Sequence, residues 1–238
     1  MVTGAPMVTA IRTIPTKTRT LTCVTRICMI DGLLKLTTWL SLGFPVGAFT
    51  YSHGLEWAVQ AGEVTDAAAA QGWIETCLRH GAARTDAILL VQTMRGGDAG
   101  ELDALARALA PSKERALETE AQGTAFAATV GAAWEGDATP RAYPVAVGLA
   151  ARRHGCPERE TTTLFLHACL ANLVSACIRL VPLGQTEGQR IIAALHPVIG
   201  EIADDALTAS LDDIGGCAMR GDIAAMRHET QDVRLFRS

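Results

Sequence analysis

The stretch "TLFLHACLANLVSACIRLV" (residues 163–181) limits the fold more than any other part of the chain. Its length would permit a membrane span. His167, Asn172, Ser175 and Arg179 interrupt it, however, and an arginine so near its end is costly in lipid. The stretch is therefore read as a central helix, buried on most sides by other helices. Ala168, Ala171, Ser175 and Ala176 are small enough to let those neighbours approach closely, and Pro182 ends the helix. His167 is read as a hydrogen-bonded core histidine, and no membrane partner is expected.

The rest of the chain supplies the neighbours. After Ile30 alanine is abundant, β-branched alternation is scarce, and glycines and prolines fall between apolar-periodic stretches. The pattern predicts helices near 32–42, 51–61, 66–80, 85–95, 100–109, 112–135, 141–154, 157–181, 186–199, 201–213 and 217–229. Short connections, no internal repeat and no low-complexity linker argue for one compact all-α domain of about ten helices without a sheet, over residues 32–238. At 238 residues and 49% hydrophobic, the chain can bury a sizeable core.

Residues 1–31 stand apart as a disordered or non-native N-terminal extension. Through Ile30 there are four basic residues and no acid, leaving 17 basic against 25 acidic in the remainder. "TAIRTIPTKTRTLTCVTRICMI" is Thr/Arg-rich and acid-free like a transit peptide. The preferred readings are a disordered tail, or a start codon assigned too early with Met29 as the true start. No long apolar h-region marks a secretory signal.

The composition narrows the function. A net charge of −4 gives no reason to expect a nucleic-acid partner. The only lysines, Lys17, Lys35 and Lys113, never follow a glycine. The Gly-Lys-Ser/Thr step of a phosphate-binding loop is thus absent, as is G-x-G-x-x-G. Seven cysteines without a C-x-x-C read neither as a disulfide framework nor as a zinc site, and free thiols fit a reducing cytosol.

Catalytic signals are weak. "TYSHG" (50–54) lacks the first glycine of a nucleophile elbow, and adjacent Ser52 and His53 point apart on a helix. Ser52 is instead expected to bond free N–H groups at a helix start. The acidic pairs Asp204-Asp205 and Asp212-Asp213 resemble half of a magnesium motif, but Thr208 and Gly216 stand where its last acid belongs. Solvated helix faces explain them better. Six scattered histidines form no H-x-x-x-H or H-E-x-x-H, so no stable metal site within one chain is expected. A transient or subunit-interface site stays open.

Three stretches are richer than a plain helical domain requires. "VPLGQTEGQR" (181–190) carries two glycines beside Gln185, Gln189 and Arg190, side chains suited to another protein's backbone or carboxylates. "GFPVGAFTYSHGLEWAV" (43–59) places Phe44, Phe49, Tyr51 and Trp57 at a loop–helix junction, as core or as interface anchors. "MRHETQDVRLFRS" (226–238) is dense, basic and half-apolar at a point where chains are usually frayed.

These stretches, with "FLHACLANLVSACIRLVPLGQTEGQR" and "DIAAMRHETQDVRLFRS", resemble the most distinctive segments of the UreF family of urease accessory proteins, in order from Leu33 to Ser238. Gly43-Phe44 replace a frequent Ala-Leu, and residues 1–30 have no counterpart. The resemblance implies an all-helical, dimeric, cytoplasmic subunit that is not an enzyme. It implies binding to UreD (UreH in some systems), recruitment of the GTPase UreG, and docking on apo-urease. Nickel is then handled by the complex, with no cofactor held stably by this subunit. The partner-binding residues implied are Tyr51, Glu56, Arg179, Gln185, Gln189, Arg190, Arg227, His228, Glu229, Arg234, Leu235, Phe236 and Arg237. In that picture Leu235 and Phe236 bury on UreD, Arg234 and Arg237 pair with carboxylates, and the tail orders on binding. The rivals are a magnesium-dependent helical enzyme using the acidic pairs and a nickel-storage protein.

A chain beginning at Met29 is expected to dimerise and to support urease activation as well as the full-length chain. A large loss of either, read by gel filtration and urease assay, would make residues 1–28 functional.

Overall fold

The structure is a computed structural model that describes Met1 and residues 29–238. Residues 2–28, most of the N-terminal extension, lie outside the described residues. The chain enters through α1 (29–39) and a loop with a 3₁₀ turn, Ala48–Thr50. There follow α2 (Leu55–Gln60), α3 (Ala67–His80), α4 (Ala82–Met94), α5 (Ala99–Ala108) and α6 (Lys113–Trp134). Then come α7 (Tyr143–Arg153), α8 (Glu158–Leu180), α9 (Gln185–Thr208), a 3₁₀ turn at Leu211–Asp213, and α10 (Met219–His228). No strand occurs among the described residues.

Local chemistry sets several helix starts. Asp66 accepts from the Ala69 amide at 2.9 Å, Asp98 from the Gly100 and Glu101 amides at 2.8 and 2.9 Å, and Ser112 from the Arg115 amide at 3.1 Å. Each satisfies amides that the first helical turn leaves free. Glu229 does the same from a distance, accepting from the Lys113 amide at the start of α6 at 2.8 Å.

α8 is the centre. Among the described residues it alone is long and apolar enough to cross a membrane, by length and composition. Here it packs in a hairpin with α9 and against α2, α3 and α4, while α7 bridges α4 and α6. Phe165, Leu166, Leu170, Leu173, Val174 and Cys177 carry its buried face. An aromatic chain ties the outer helices to it. Trp39 meets Phe126 edge-on at 6.0 Å, Phe126 meets Tyr143 at 5.8 Å, and Tyr143 meets Phe165 at 5.4 Å. Such contacts add about 0.5–1.5 kcal/mol each beyond simple burial.

Three readings of the sequence need correction. Residues 186–199 and 201–213 are not two helices, because α9 runs unbroken to Thr208 with Pro197 inside it. Pro197 and Ala193, whose carbonyl loses its helical donor, both face outward, where water can replace the bond. The helix expected from residue 51 begins at Leu55, because Ser52 is bonded to Ser238 and both His53 and Gly54 take positive φ. His167 is half-buried rather than core, and lies against His196.

Gly123 sets the α6–α7 spacing: a Cβ there would sit 1.9 Å from the Arg141 carbonyl oxygen. Gly123→Ala is therefore expected to destabilise the fold by about 1–3 kcal/mol, the usual cost of overpacking. Denaturant titration checks this, and an unchanged midpoint would contradict the packing described.

Candidate functional site

The tail does not project from the body. It lies along the segment that leads into α2 and closes over a buried ionic cluster. The Arg237 amide donates to the Thr50 carbonyl at 2.8 Å, and the Ser52 amide donates to the Ser238 carbonyl at 2.6 Å. The Ser52 hydroxyl donates to that same carbonyl and accepts weakly from the Glu56 amide at 3.4 Å. Ser52 thus bonds at a helix start as expected, and its hydroxyl is committed to structure.

Glu56 is the joint. Its carboxylate accepts from the Leu235 amide at 2.6 Å and the Phe236 amide at 2.9 Å, and His228 Nε2 lies 3.1 Å away. The other ring nitrogen of His228 is 2.7 Å from Glu114, which also pairs with Arg234 at 2.7 Å. His228 thus bridges the two carboxylates, and its tautomer decides which ring nitrogen donates. Burial pushes the Glu56 carboxyl up, but the Leu235 amide, His228 and the Phe236 amide outweigh it and hold it below its ordinary 4.5.

Gly54 makes this packing possible. It sits at φ +77°, and a Cβ would stand 2.4 Å from the Ala225 amide nitrogen, so α10 rests directly on its backbone. Arg179 covers the last aromatic, with its guanidinium 4.1 Å from the Phe236 ring and 3.9 Å from Phe49. It also donates to the Phe49 carbonyl at 2.7 Å.

Beneath the tail lies a second charged layer. Glu118 faces His53 at 3.1 Å, Arg115 at 3.7 Å and the Ser238 hydroxyl at 3.3 Å. Burial pushes its carboxyl up, yet His53, Arg115 and Ser238 bring it down to about 2. Arg115 also contacts Asp86 at 2.5 Å. Burial raises the Asp86 carboxyl against the pull of that guanidinium. A cavity of about 100 Å³ adjoins these groups, lined by His53, Asp86, Arg115, Glu118, Asn172 and Ser238 among others.

The implied partner residues therefore divide. Tyr51, Glu56, His228 and Phe236 are buried within the chain, and Glu229 caps α6. The single chain already buries Phe236, the anchor that the sequence assigned to a partner. Leu235, Arg227, Arg234, Arg237, Gln185, Gln189 and Arg190 are exposed, with Arg179 between the two groups. α10 also shows an exposed apolar stripe, Met219, Ile223 and Met226 at helical spacing, which sequence reading missed. That spacing was its available signal. Ser52, Glu114 and Glu118 were also missed as parts of the clamp.

The catalytic alternatives find no support in this geometry. His53 faces Glu118 rather than Ser52. Asp204 is forked by Arg159 at 2.8 and 3.0 Å, Asp205 pairs with Arg84 at 2.7 Å, and Asp213 accepts from Ser210. Among the described residues no group of three or more His, Cys, Asp or Glu side chains is placed to share a metal ion.

Because the Glu56 carboxyl is held low, its stabilisation is complete above about pH 4.5 and is lost as pH falls through the depressed value. Glu56→Gln is expected to cost about 1.5–3 kcal/mol near neutrality, the range for hydrogen bonds to a charged group. It should also flatten the loss of stability below about pH 4.5 relative to wild type. Thermal unfolding across pH checks both, and parallel curves would contradict the clamp.

Comparison with known proteins agrees with this architecture's sequence signals. The UreF family model matches residues 64–196. The urease accessory protein UreF of Cereibacter sphaeroides is 60% identical over 210 residues, covering 88% of this chain and 100% of that protein. Those of Rhodopseudomonas palustris and Bradyrhizobium diazoefficiens are 51% and 47% identical over 222 residues. They cover 87% of this chain and 94% and 92% of their own lengths. The chain belongs to the UreF family of urease accessory proteins.

Proposed function

We propose that this protein is a non-catalytic subunit of a urease-maturation complex, working in the cytoplasm as a homodimer. It binds UreD (UreH) through the outer face of α10 and the clamped tail, and so recruits the GTPase UreG to apo-urease. Nickel is cargo of that complex rather than a resident cofactor of this chain.

One observation carries the reading: Met219, Ile223, Met226 and Leu235 are exposed beside Arg227, Arg234 and Arg237, on elements anchored from below by Glu56 and His228. Apolar anchors with arginines at their edge are what a protein interface uses. The clamp lowers the ordering cost that a loose tail would bring to binding. The first turns of α9 add Gln185, Gln189 and Arg190, whose side chains are exposed.

Removal of residues 233–238 is expected to leave a helical protein by circular dichroism, since α10 and His228 remain. It should abolish stable capture of UreD, and with it UreG, in a pull-down from purified components. Arg190→Ala should stay within about 0.5 kcal/mol of wild-type stability, as exposed substitutions usually do, and should reduce urease activation. Wild-type binding should weaken with salt if the exposed arginines form ion pairs. Full UreD affinity after the deletion would remove the tail from the interface, and unfolding of Arg190→Ala would make that residue structural.

A further inference from the structure

The face that α8 and α9 turn away from the clamp's charged layer holds two histidines. The 181–184 turn folds α9 back along α8, which brings His167 on α8 opposite His196 on α9. Their ring centroids are 5.5 Å apart with planes at 40°. His167 is half-buried and His196 exposed. His53 and His228 each face carboxylates. His167 and His196, in contrast, make no hydrogen bond or ion pair among the described residues. A half-buried imidazole usually finds a polar partner, and the polar group next to His167 is another imidazole.

We infer that His167 and His196 form a two-imidazole site for a divalent transition metal. Two imidazoles sharing one ion at bonds of about 2.0–2.1 Å have centroids roughly 5 Å apart. The observed separation is therefore close to a chelating one, and side-chain adjustment closes the difference. Space is available: a Cβ built on Gly200, one turn beyond His196, would meet nothing within 4 Å. Ala171 stands one turn beyond His167. Nitrogen donors select zinc, nickel or copper over magnesium and calcium, which prefer oxygen. Two protein ligands leave further positions for water or for a donor from another molecule, so the ion exchanges more readily than from a closed four-ligand site. This inference uses neither the tail nor any partner and stands apart from the proposed function.

The test is titration of the full-length chain with nickel(II), with magnesium(II) as the hard-ion control, by calorimetry. Wild type is expected to take up about one nickel ion per chain and no magnesium. His196→Ala, an exposed substitution that leaves the packing alone, should weaken nickel binding about tenfold or more. His167→Ala/His196→Ala should abolish it, and His80→Ala on α3 should leave it unchanged. Circular dichroism establishes that each variant is folded. Failure of wild type to bind nickel, or unchanged affinity in His196→Ala, would overturn the assignment.

Discussion

A carboxylate removed from water must be given donors, and Glu56 sits at 8% exposure with its donors drawn from the far end of the chain. Two are backbone amides of the tail, and His228 Nε2 faces the same carboxylate. Breaking a buried charge pair by removing one partner costs about 3–5 kcal/mol. The short α2 helix, α10 and the last residues are therefore joined through this one carboxylate. Gly54 is part of the same constraint, since any side chain there would push α10 off the joint.

The coupling continues downward through α6. Glu114 and Glu118 lie one turn apart, the first bonded to His228 and Arg234 and the second to His53, Arg115 and Ser238. Opposite charges in this network offset one another's burial, although Arg115 Nε and Nη1 have no hydrogen-bond partner among the described residues. The network rests on α8 through Asn172, whose amide reaches the Tyr51 carbonyl at 3.4 Å. The outer surface of α10 is thereby held by interior electrostatics while its apolar side chains remain available. In the proposed function, this is how a chain terminus becomes rigid enough to serve as a docking surface.

Much of the scaffold was legible in the sequence because it depends on local periodicity. The central helix, its stop before Pro182, the long α6 and the absence of strands among the described residues all follow from apolar spacing and turn residues. Pro197 misled because its cost depends on whether its face is wet, which the sequence does not state. The clamp was only half visible. The unusual tail and "TYSHG" stretch stood out by composition, yet the pairing of Glu56 with residues about 180 positions away is a tertiary fact. Glutamates on helices are ordinarily solvated, so "KERALE" gave no hint that Glu114 and Glu118 point inward. His167 was assigned to the core by its apolar neighbours, although it lies on the helix edge that meets His196.

The most direct measurement of the clamp is hydrogen exchange at single amides of the isolated protein near neutral pH. If Glu56 holds the tail, the Leu235 and Phe236 amides exchange far more slowly than an unstructured terminus, and Glu56→Gln releases both together. Exchange of these amides at free-peptide rates in the wild-type chain would contradict it, because the tail would then have no fixed place on this protein.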